Sequence, residues 1–326
     1  MSTSTGAGFV PPAPGEEVEL ELPGFFRLYR SGRFDRYVGL DKLPASLEPE
    51  TGVVSKDVTV DLSTGVTARL YLPSLADGDS TKKLPVLVYF HGGAFCLESA
   101  ASPIYHRHLN TLAFITPVLA VSVDYRLAPE HPLPVAYEDS WATLRWVFSL
   151  ADPWLAEHGD PKRIFLAGDS AGGNIAHQLA LRAGTRPEGE GIAIKGVALI
   201  HPYFWGSAPL GAEPTDTGLR GLMEQIWKFL CPETSGLDDR RINPLADGGR
   251  SLAELGCERV LVSVAEKDHL RHRGKAYFEK LKASGWPGEA ELVETADAEH
   301  VFHLFYPETE EGREMHKALA DFFSKE

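Results

Sequence analysis

Residues 164–177 read IFLAGDSAGGNIAH, and this stretch decides the fold. Four apolar residues lead into GDSAG at 168–172, and an amphipathic segment follows, so the pattern predicts a strand, a sharp turn and a helix. In that order a G-x-S-x-G motif exposes the serine hydroxyl above the sheet, and glycines flank the serine because a Cβ would crowd the bend. Ser170 is therefore the candidate nucleophile.

The rest of the chain predicts an α/β fold with a mostly parallel central sheet and helices on both faces. Continuous apolar runs at 84–90, 117–123, 192–200 and 259–265 are typical of strands that are covered on both sides, and a short strand is predicted at 291–295. Helical periods alternate with these strands, and two predicted hairpins precede them, at 26–37 and 54–71. In such sheets ligands bind beyond the carboxyl ends of the strands.

Composition restricts the class of protein. A net charge of −14 leaves little basic surface for phosphates, so we expect no nucleic-acid partner. Three scattered cysteines and the lack of an N-terminal apolar core or a long apolar run predict a cytoplasmic protein with no membrane insertion. Residues 1–16 are predicted to be disordered, and 17–326 to form a single domain with an inserted helical region at 204–243. The sequence does not define an oligomeric state.

A serine nucleophile needs a base, and the base needs a carboxylate that fixes its tautomer. Asp268 directly follows the strand at 259–265, and His300 follows the strand at 291–295, which gives the order Ser, acid, His of α/β hydrolases. Asp268 could also cap the helix that follows it. The alternatives left open are Glu266 as the acid and, as the base, His303, His269 and His272.

An oxyanion hole is predicted after the strand at 84–90, where HGGAF occupies residues 91–95. A tetrahedral intermediate needs fixed N–H donors, and small residues let backbone N–H groups reach it. The predicted donors are Gly93, Ala94 and Ala171, with Gly92 as a further candidate. Alanine at 94 keeps its N–H, and it suits the loop if its φ is negative.

Four motifs in this order resemble the plant carboxylesterases of the hormone-sensitive-lipase group of α/β hydrolases: HGGAF, DYRLAPEHPLPVAYED at 124–139, GDSAGGN at 168–174 and EHVFH at 299–303. The resemblance implies His300 as the catalytic histidine, and a cap built from about 17–45 and 204–243. It also implies a serine carboxylesterase, and the aromatic residues expected around the site suit small acyl or aryl esters. Receptor-like ligand-binding members and 2-hydroxyisoflavanone dehydratases share the fold, so both remain alternative functions.

The partner predicted from the chain is a small-molecule ester, with no cofactor and no metal. Residues that flank the motifs are the candidate substrate contacts. They are Phe95, Cys96, Phe204, Trp205, Trp227, Leu270, Val301 and Phe302.

Overall fold

The computed structural model describes residues 15–74, 83–185, 187, 189, 191–248 and 251–325. Most of the segment predicted to be disordered, residues 1–16, lies outside these ranges. Of the two described residues in it, Glu16 forms an ion pair with Arg33 at 2.6 Å. No helix among the described residues is both long enough and apolar enough to cross a bilayer.

Eleven strands among the described residues form two sheets. The small sheet contains β1 (Val18–Leu22), β2 (Phe26–Tyr29) and β3 (Phe34–Arg36), all antiparallel, so the hairpin predicted at 26–37 is present and gains β1 as a third strand. The strands of the large sheet are β4 (Val54–Asp61), β5 (Val66–Leu72), β6 (Leu84–Phe90), β7 (Leu119–Asp124), β8 (Gly159–Asp169), β9 (Ile194–Ile200), β10 (Cys257–Ala265) and β11 (Glu289–Thr295).

The large sheet has the strand order β4-β5-β7-β6-β8-β9-β10-β11. β5 is antiparallel to both of its neighbours, and every pair from β7 to β11 is parallel. The predicted mostly parallel sheet is confirmed. β6 and β8 lie side by side, so the loop after β6 and the turn after β8 meet at one edge of the sheet.

The helices are α1 (Pro103–Ile115), α2 (Val135–Phe148), α3 (Pro153–His158), α4 (Ala171–Ala183), α5 (Thr217–Leu230), α6 (Arg271–Ala283), α7 (Phe302–Phe305) and α8 (Glu310–Phe323), with a short 3-10 helix at Leu252–Glu254. They cover both faces of the large sheet. Side chains alternate along a strand, so Val88 belongs to the buried cluster that contains Ile175 of α4 on one face, while Tyr89 belongs to the cluster that contains Leu109 of α1 on the other.

The N-terminal sheet packs against α5. The rings of Phe26 and Phe34 lie 6.0 and 5.2 Å from the ring of Phe229. Arg36 at the end of β3 donates hydrogen bonds to the carbonyl oxygens of Cys96 and Ala128, at 2.7 and 2.8 Å. The two segments expected to form a cap are therefore in contact, and the N-terminal one also binds the chain that follows HGGA.

Candidate active site

Ser170 lies in the turn between β8 and α4 with φ 52° and ψ −115°. This backbone conformation costs a non-glycine residue about 1–3 kcal/mol, and such strain is found at functional sites. Three hydrogen bonds hold it: Ser170 N–H donates to Ile200 O at 2.9 Å, and Ser170 O accepts the N–H groups of Tyr203 at 2.8 Å and of Asn174 at 3.1 Å. A Cβ on Gly172 would overlap the carbonyl oxygen of Phe90, so glycine is required there.

Asp268 and His300 meet because they follow the neighbouring strands β10 and β11. His300 Nδ1 lies 2.6 Å from Asp268 Oδ2, and Asp268 Oδ1 accepts the N–H of Leu270 at 2.9 Å, so the carboxylate also fixes the start of α6. Burial opposes a charge on His300, but the negative charge of Asp268 and the hydrogen bond between them raise the pKa of His300. Burial likewise opposes the charge on Asp268, and the histidine and the hydrogen bonds leave its pKa below the usual value.

The bond to Asp268 leaves Nε2 of His300 as its free ring nitrogen. Within the described ranges, Ser170 Oγ makes no hydrogen bond to His300. Both side chains are partly exposed, whereas Asp268 is buried. Catalytic hydrogen bonds are often long before substrate binds, so the arrangement suits a base that reaches the hydroxyl in the substrate complex.

The alternative acid and bases are placed elsewhere. Glu266 is exposed and accepts the N–H of Asp297 at 2.8 Å. His303 is buried against the rings of His108 and His201, at 5.2 and 5.8 Å. In the part of the chain that the structure describes, neither these residues nor His269 and His272 hydrogen-bonds Asp268.

The loop after β6 turns through three successive residues with positive φ: Gly93 at 91°, Ala94 at 49° and Phe95 at 58°. The condition under which alanine suits this loop, a negative φ at Ala94, is therefore not met. The N–H groups of Gly93 and Ala94 have no acceptor among the described residues, and the N–H of Ala171 is the first of α4, which a helix leaves unpaired. All three predicted donors therefore have an N–H group that is available to donate a hydrogen bond to an oxyanion.

Gly92 is wrong as an oxyanion donor, because its N–H donates to Tyr105 Oη at 2.7 Å. Its carbonyl oxygen lies 2.8 Å from His91 Nδ1. Burial lowers the pKa of His91 to about 4, so the ring is neutral near pH 7 and carries its one proton on the nitrogen that faces this carbonyl. The C=O and N–H of a trans peptide point in opposite directions, so this bond directs the Gly93 N–H away from His91.

Five of the eight predicted substrate contacts are buried in the core, with at most 1% of their surface exposed: Phe95, Cys96, Phe204, Trp205 and Trp227. Phe204 packs on the ring of Tyr277 at 5.1 Å, and Trp227 Nε1 donates to Thr234. The prediction is wrong for these five, because apolar side chains next to the motifs pack into the core rather than face a ligand. The other three, Leu270, Val301 and Phe302, keep 5–9% exposure.

Sequence reasoning missed His201, which follows β9. Its Nδ1 accepts the N–H of Val301 at 2.9 Å, next to His300. A nitrogen of His201, a nitrogen of His300 and a carboxylate oxygen of Asp268 lie within 4.8 Å of one another, the one such group found among the described residues. The direct bond between His300 and Asp268 serves the tautomer of a catalytic base, so the group fits a triad better than a metal centre. The only sequence signal for His201 is its position directly after a strand.

Comparison with known proteins gives consistent matches. A family model described as the alpha/beta hydrolase fold matches residues 87–304. A probable carboxylesterase 2 of Arabidopsis thaliana is 46% identical over 311 residues, covering 95% of this chain and 98% of the relative. A 2-hydroxyisoflavanone dehydratase of Glycyrrhiza echinata is 46% identical over 318 residues, covering 94% and 96%. The crystal structure of a thermostable carboxylesterase cloned from a metagenomic library aligns with a TM-score of 0.69 at 31% identity, covering 87% of this chain and 90% of that one.

Proposed function

The chain belongs to the α/β-hydrolase family, and from this premise we propose that it is a serine carboxylesterase in which Ser170, Asp268 and His300 form the catalytic triad. The observation that carries the proposal is the 2.6 Å bond between His300 and Asp268 at the same edge of the sheet as the strained Ser170. Carboxylesterase relatives in sequence and in structure support the same activity.

In the first step Ser170 Oγ attacks the ester carbonyl carbon while His300 Nε2 removes the hydroxyl proton. As the new C–O bond forms, the π bond of the carbonyl breaks and its oxygen becomes an oxyanion. The N–H groups of Gly93, Ala94 and Ala171 bind that oxyanion, and each donor contributes about 3 kcal/mol to the transition state. Collapse of the intermediate breaks the ester bond. The alcohol leaves with the proton from His300, and Ser170 carries the acyl group.

In the second step water attacks the acyl carbon as His300 removes its proton, and Ser170 leaves with that proton restored. Asp268 holds the imidazole in the tautomer whose Nε2 is free, and it stabilises the imidazolium that forms in both steps. The chain's own groups are sufficient for this route, which uses no metal or cofactor.

The proposed substrates are esters of small acyl or aryl groups. Leu270, Val301 and Phe302 are the predicted substrate contacts that keep some exposure, and they flank Asp268 and His300 in the chain. The N-terminal sheet and α5, which pack together through Phe26 and Phe229, are proposed to form the cap on the single domain of residues 17–326. We also propose a cytoplasmic location, which microscopy of a fluorescent fusion tests.

Dehydration of a 2-hydroxyisoflavanone is the second candidate, because a dehydratase is 46% identical to this chain. Elimination of water would use His300 and the oxyanion donors without acylating Ser170. Ester hydrolysis is favoured because it uses the strained serine as well as the base.

The two functions are separated by giving purified wild type and Ser170→Ala the ester p-nitrophenyl acetate and, separately, a 2-hydroxyisoflavanone. We expect ester turnover by the wild type, none by Ser170→Ala, and no dehydrated product from either. Dehydration by both proteins with no ester turnover would replace hydrolysis by the second candidate.

A further inference from the structure

The proposed mechanism leaves one buried carboxylate beside the nucleophile unused. Asp169 is 1% exposed and accepts two hydrogen bonds, from Tyr89 Oη to Oδ1 and from Tyr105 Oη to Oδ2, each at 2.9 Å. Its burial raises the pKa of Asp169, and the tyrosine bonds and the charge of His300 oppose that rise, which leaves it at about 6. No arginine or lysine bonds it within the described ranges.

Tyr105 connects this carboxylate to the oxyanion loop. Its Oη donates to Asp169 Oδ2 and accepts the N–H of Gly92 at 2.7 Å. A phenol hydroxyl has one proton, which it donates in the hydrogen bond to the carboxylate, and a lone pair on its oxygen then accepts the N–H. Both hydrogen bonds therefore have a fixed direction: Gly92 donates to Tyr105, and Tyr105 donates to Asp169.

The loop also lies directly on this pair. A Cβ on Gly92 would overlap Asp169 Oδ2 and would come to 3.0 Å from Tyr105 Oη. Gly92 precedes the proposed donors Gly93 and Ala94, so a shift of its peptide group moves their N–H groups with it. Asp169 itself precedes Ser170, and one carboxylate therefore adjoins the nucleophile and, through Tyr105, the loop.

Tyr89 provides an internal comparison. It is the same residue type, it is fully buried, and it bonds the other oxygen of the same carboxylate. In the described chain it makes no hydrogen bond to the oxyanion loop. The two tyrosines therefore differ in whether they touch Gly92.

We propose that Asp169, acting through Tyr105, is the carboxylate that positions the oxyanion loop relative to Ser170. Both are positioning residues, since neither reaches the reacting atoms, and the inference rests on the proposed ester hydrolysis. A displaced N–H donor stabilises the oxyanion of the transition state less well, while ground-state binding of the ester is unchanged. Loss of this positioning should therefore lower kcat and leave KM nearly the same.

The test compares Tyr105→Phe with Tyr89→Phe, which removes one hydroxyl from the same carboxylate. With p-nitrophenyl acetate we expect Tyr105→Phe to lower kcat at least about 10-fold and to keep KM within about 2-fold of the wild-type value. This loss is smaller than the loss caused by deleting an oxyanion donor, because the N–H groups are displaced and not removed. A trifluoromethyl ketone, which forms an oxyanion adduct with serine, should bind more weakly by the factor lost in kcat/KM. Tyr89→Phe should stay within about 3-fold of wild type in all three quantities.

Asp169→Asn is the second variant, and near-UV circular dichroism verifies that each variant is folded. Because both residues act through one path, the double variant Tyr105→Phe/Asp169→Asn should lose far less than the product of the single losses. Equal kcat for the two tyrosine variants, or multiplicative losses in the double variant, would overturn the inference while wild-type turnover continues. A wild type that does not hydrolyse the ester would instead overturn the proposed function.

Discussion

Replacing Asp268 by asparagine should trap the proposed catalytic base, His300, in the wrong tautomer. Leu270 N–H donates to Oδ1 of Asp268 at 2.9 Å, and His300 Nδ1 faces Oδ2 at 2.6 Å. An amide has one oxygen, and only that oxygen can accept the Leu270 N–H. Its NH₂ group then faces His300 Nδ1, which must accept, so the imidazole proton moves to Nε2, the nitrogen that has to receive the proton of Ser170.

The size of the effect follows from this inversion. Asparagine at the acid of a Ser-His-Asp triad lowers kcat about 10⁴-fold, which corresponds to about 5 kcal/mol in the barrier. Asp268 also raises the pKa of His300 through its charge and hydrogen bond. The base must be neutral to act, so activity rises with pH through that pKa, and removing the carboxylate moves this rise to lower pH.

The assay is kcat and kcat/KM for p-nitrophenyl acetate between about pH 5 and 9. Glu266→Gln is the matched control, because it also turns an acid next to β10 into its amide, and Glu266 is exposed. We expect about 10⁴-fold loss for Asp268→Asn and less than about 2-fold for Glu266→Gln. A folded Asp268→Asn enzyme within about 10-fold of wild type would refute the assigned role.

Three further outcomes are expected. Glu213→Gln, which breaks a fully buried ion pair with Arg273 at 2.7 Å, should lower the free energy of unfolding in urea by about 3 kcal/mol, and an unchanged value would contradict this. Ala94→Gly should raise the free energy of unfolding by about 0.5–1 kcal/mol with kcat unchanged, because glycine removes the strain of an alanine held at φ 49°. A lower free energy of unfolding would contradict strain at this position. Burial lowers the pKa of seven histidines in the folded protein, so below the ordinary histidine pKa of about 6.5 the unfolded chain binds more protons than the folded one. The free energy of unfolding should therefore fall as pH falls below about 6.5, by up to about 1.4 kcal/mol per histidine per pH unit. Equal urea midpoints at about pH 7.5 and 5.5 would contradict this. These histidines are His91, His106, His108, His177, His201, His303 and His316.

The fold could be predicted because its signals are local. Parallel strands covered on both faces need continuous apolar runs, and the observed β6, β9 and β10 coincide with such runs. The turn at Ser170 was predictable for the same reason, since a bend this tight tolerates few residue types. β1 was missed because it has no apolar run, with only Leu20 fully buried among its five residues.

The arrangement of the candidate site was predictable only where strand order brings residues to one edge of the sheet. Ser170, Asp268 and His300 each follow a strand of the same sheet, so the topology alone places them at one edge. The N–H of Gly92 is removed from the oxyanion hole because it donates to Tyr105 Oη on α1, and the position of that hydroxyl depends on helix packing that no local pattern encodes. The failed aromatic contacts have the same cause, since apolar side chains look alike whether they meet substrate or core.

The most direct test of the triad is covalent labelling of Ser170. Purified protein is treated with paraoxon, and the site of the diethylphosphoryl group is read by peptide mass spectrometry alongside the fall in ester hydrolysis. We predict one adduct per chain, on Ser170, appearing at the rate at which activity disappears, and none in Ser170→Ala. Loss of activity with the adduct on another residue, or full hydrolysis by Ser170→Ala, would contradict the assignment.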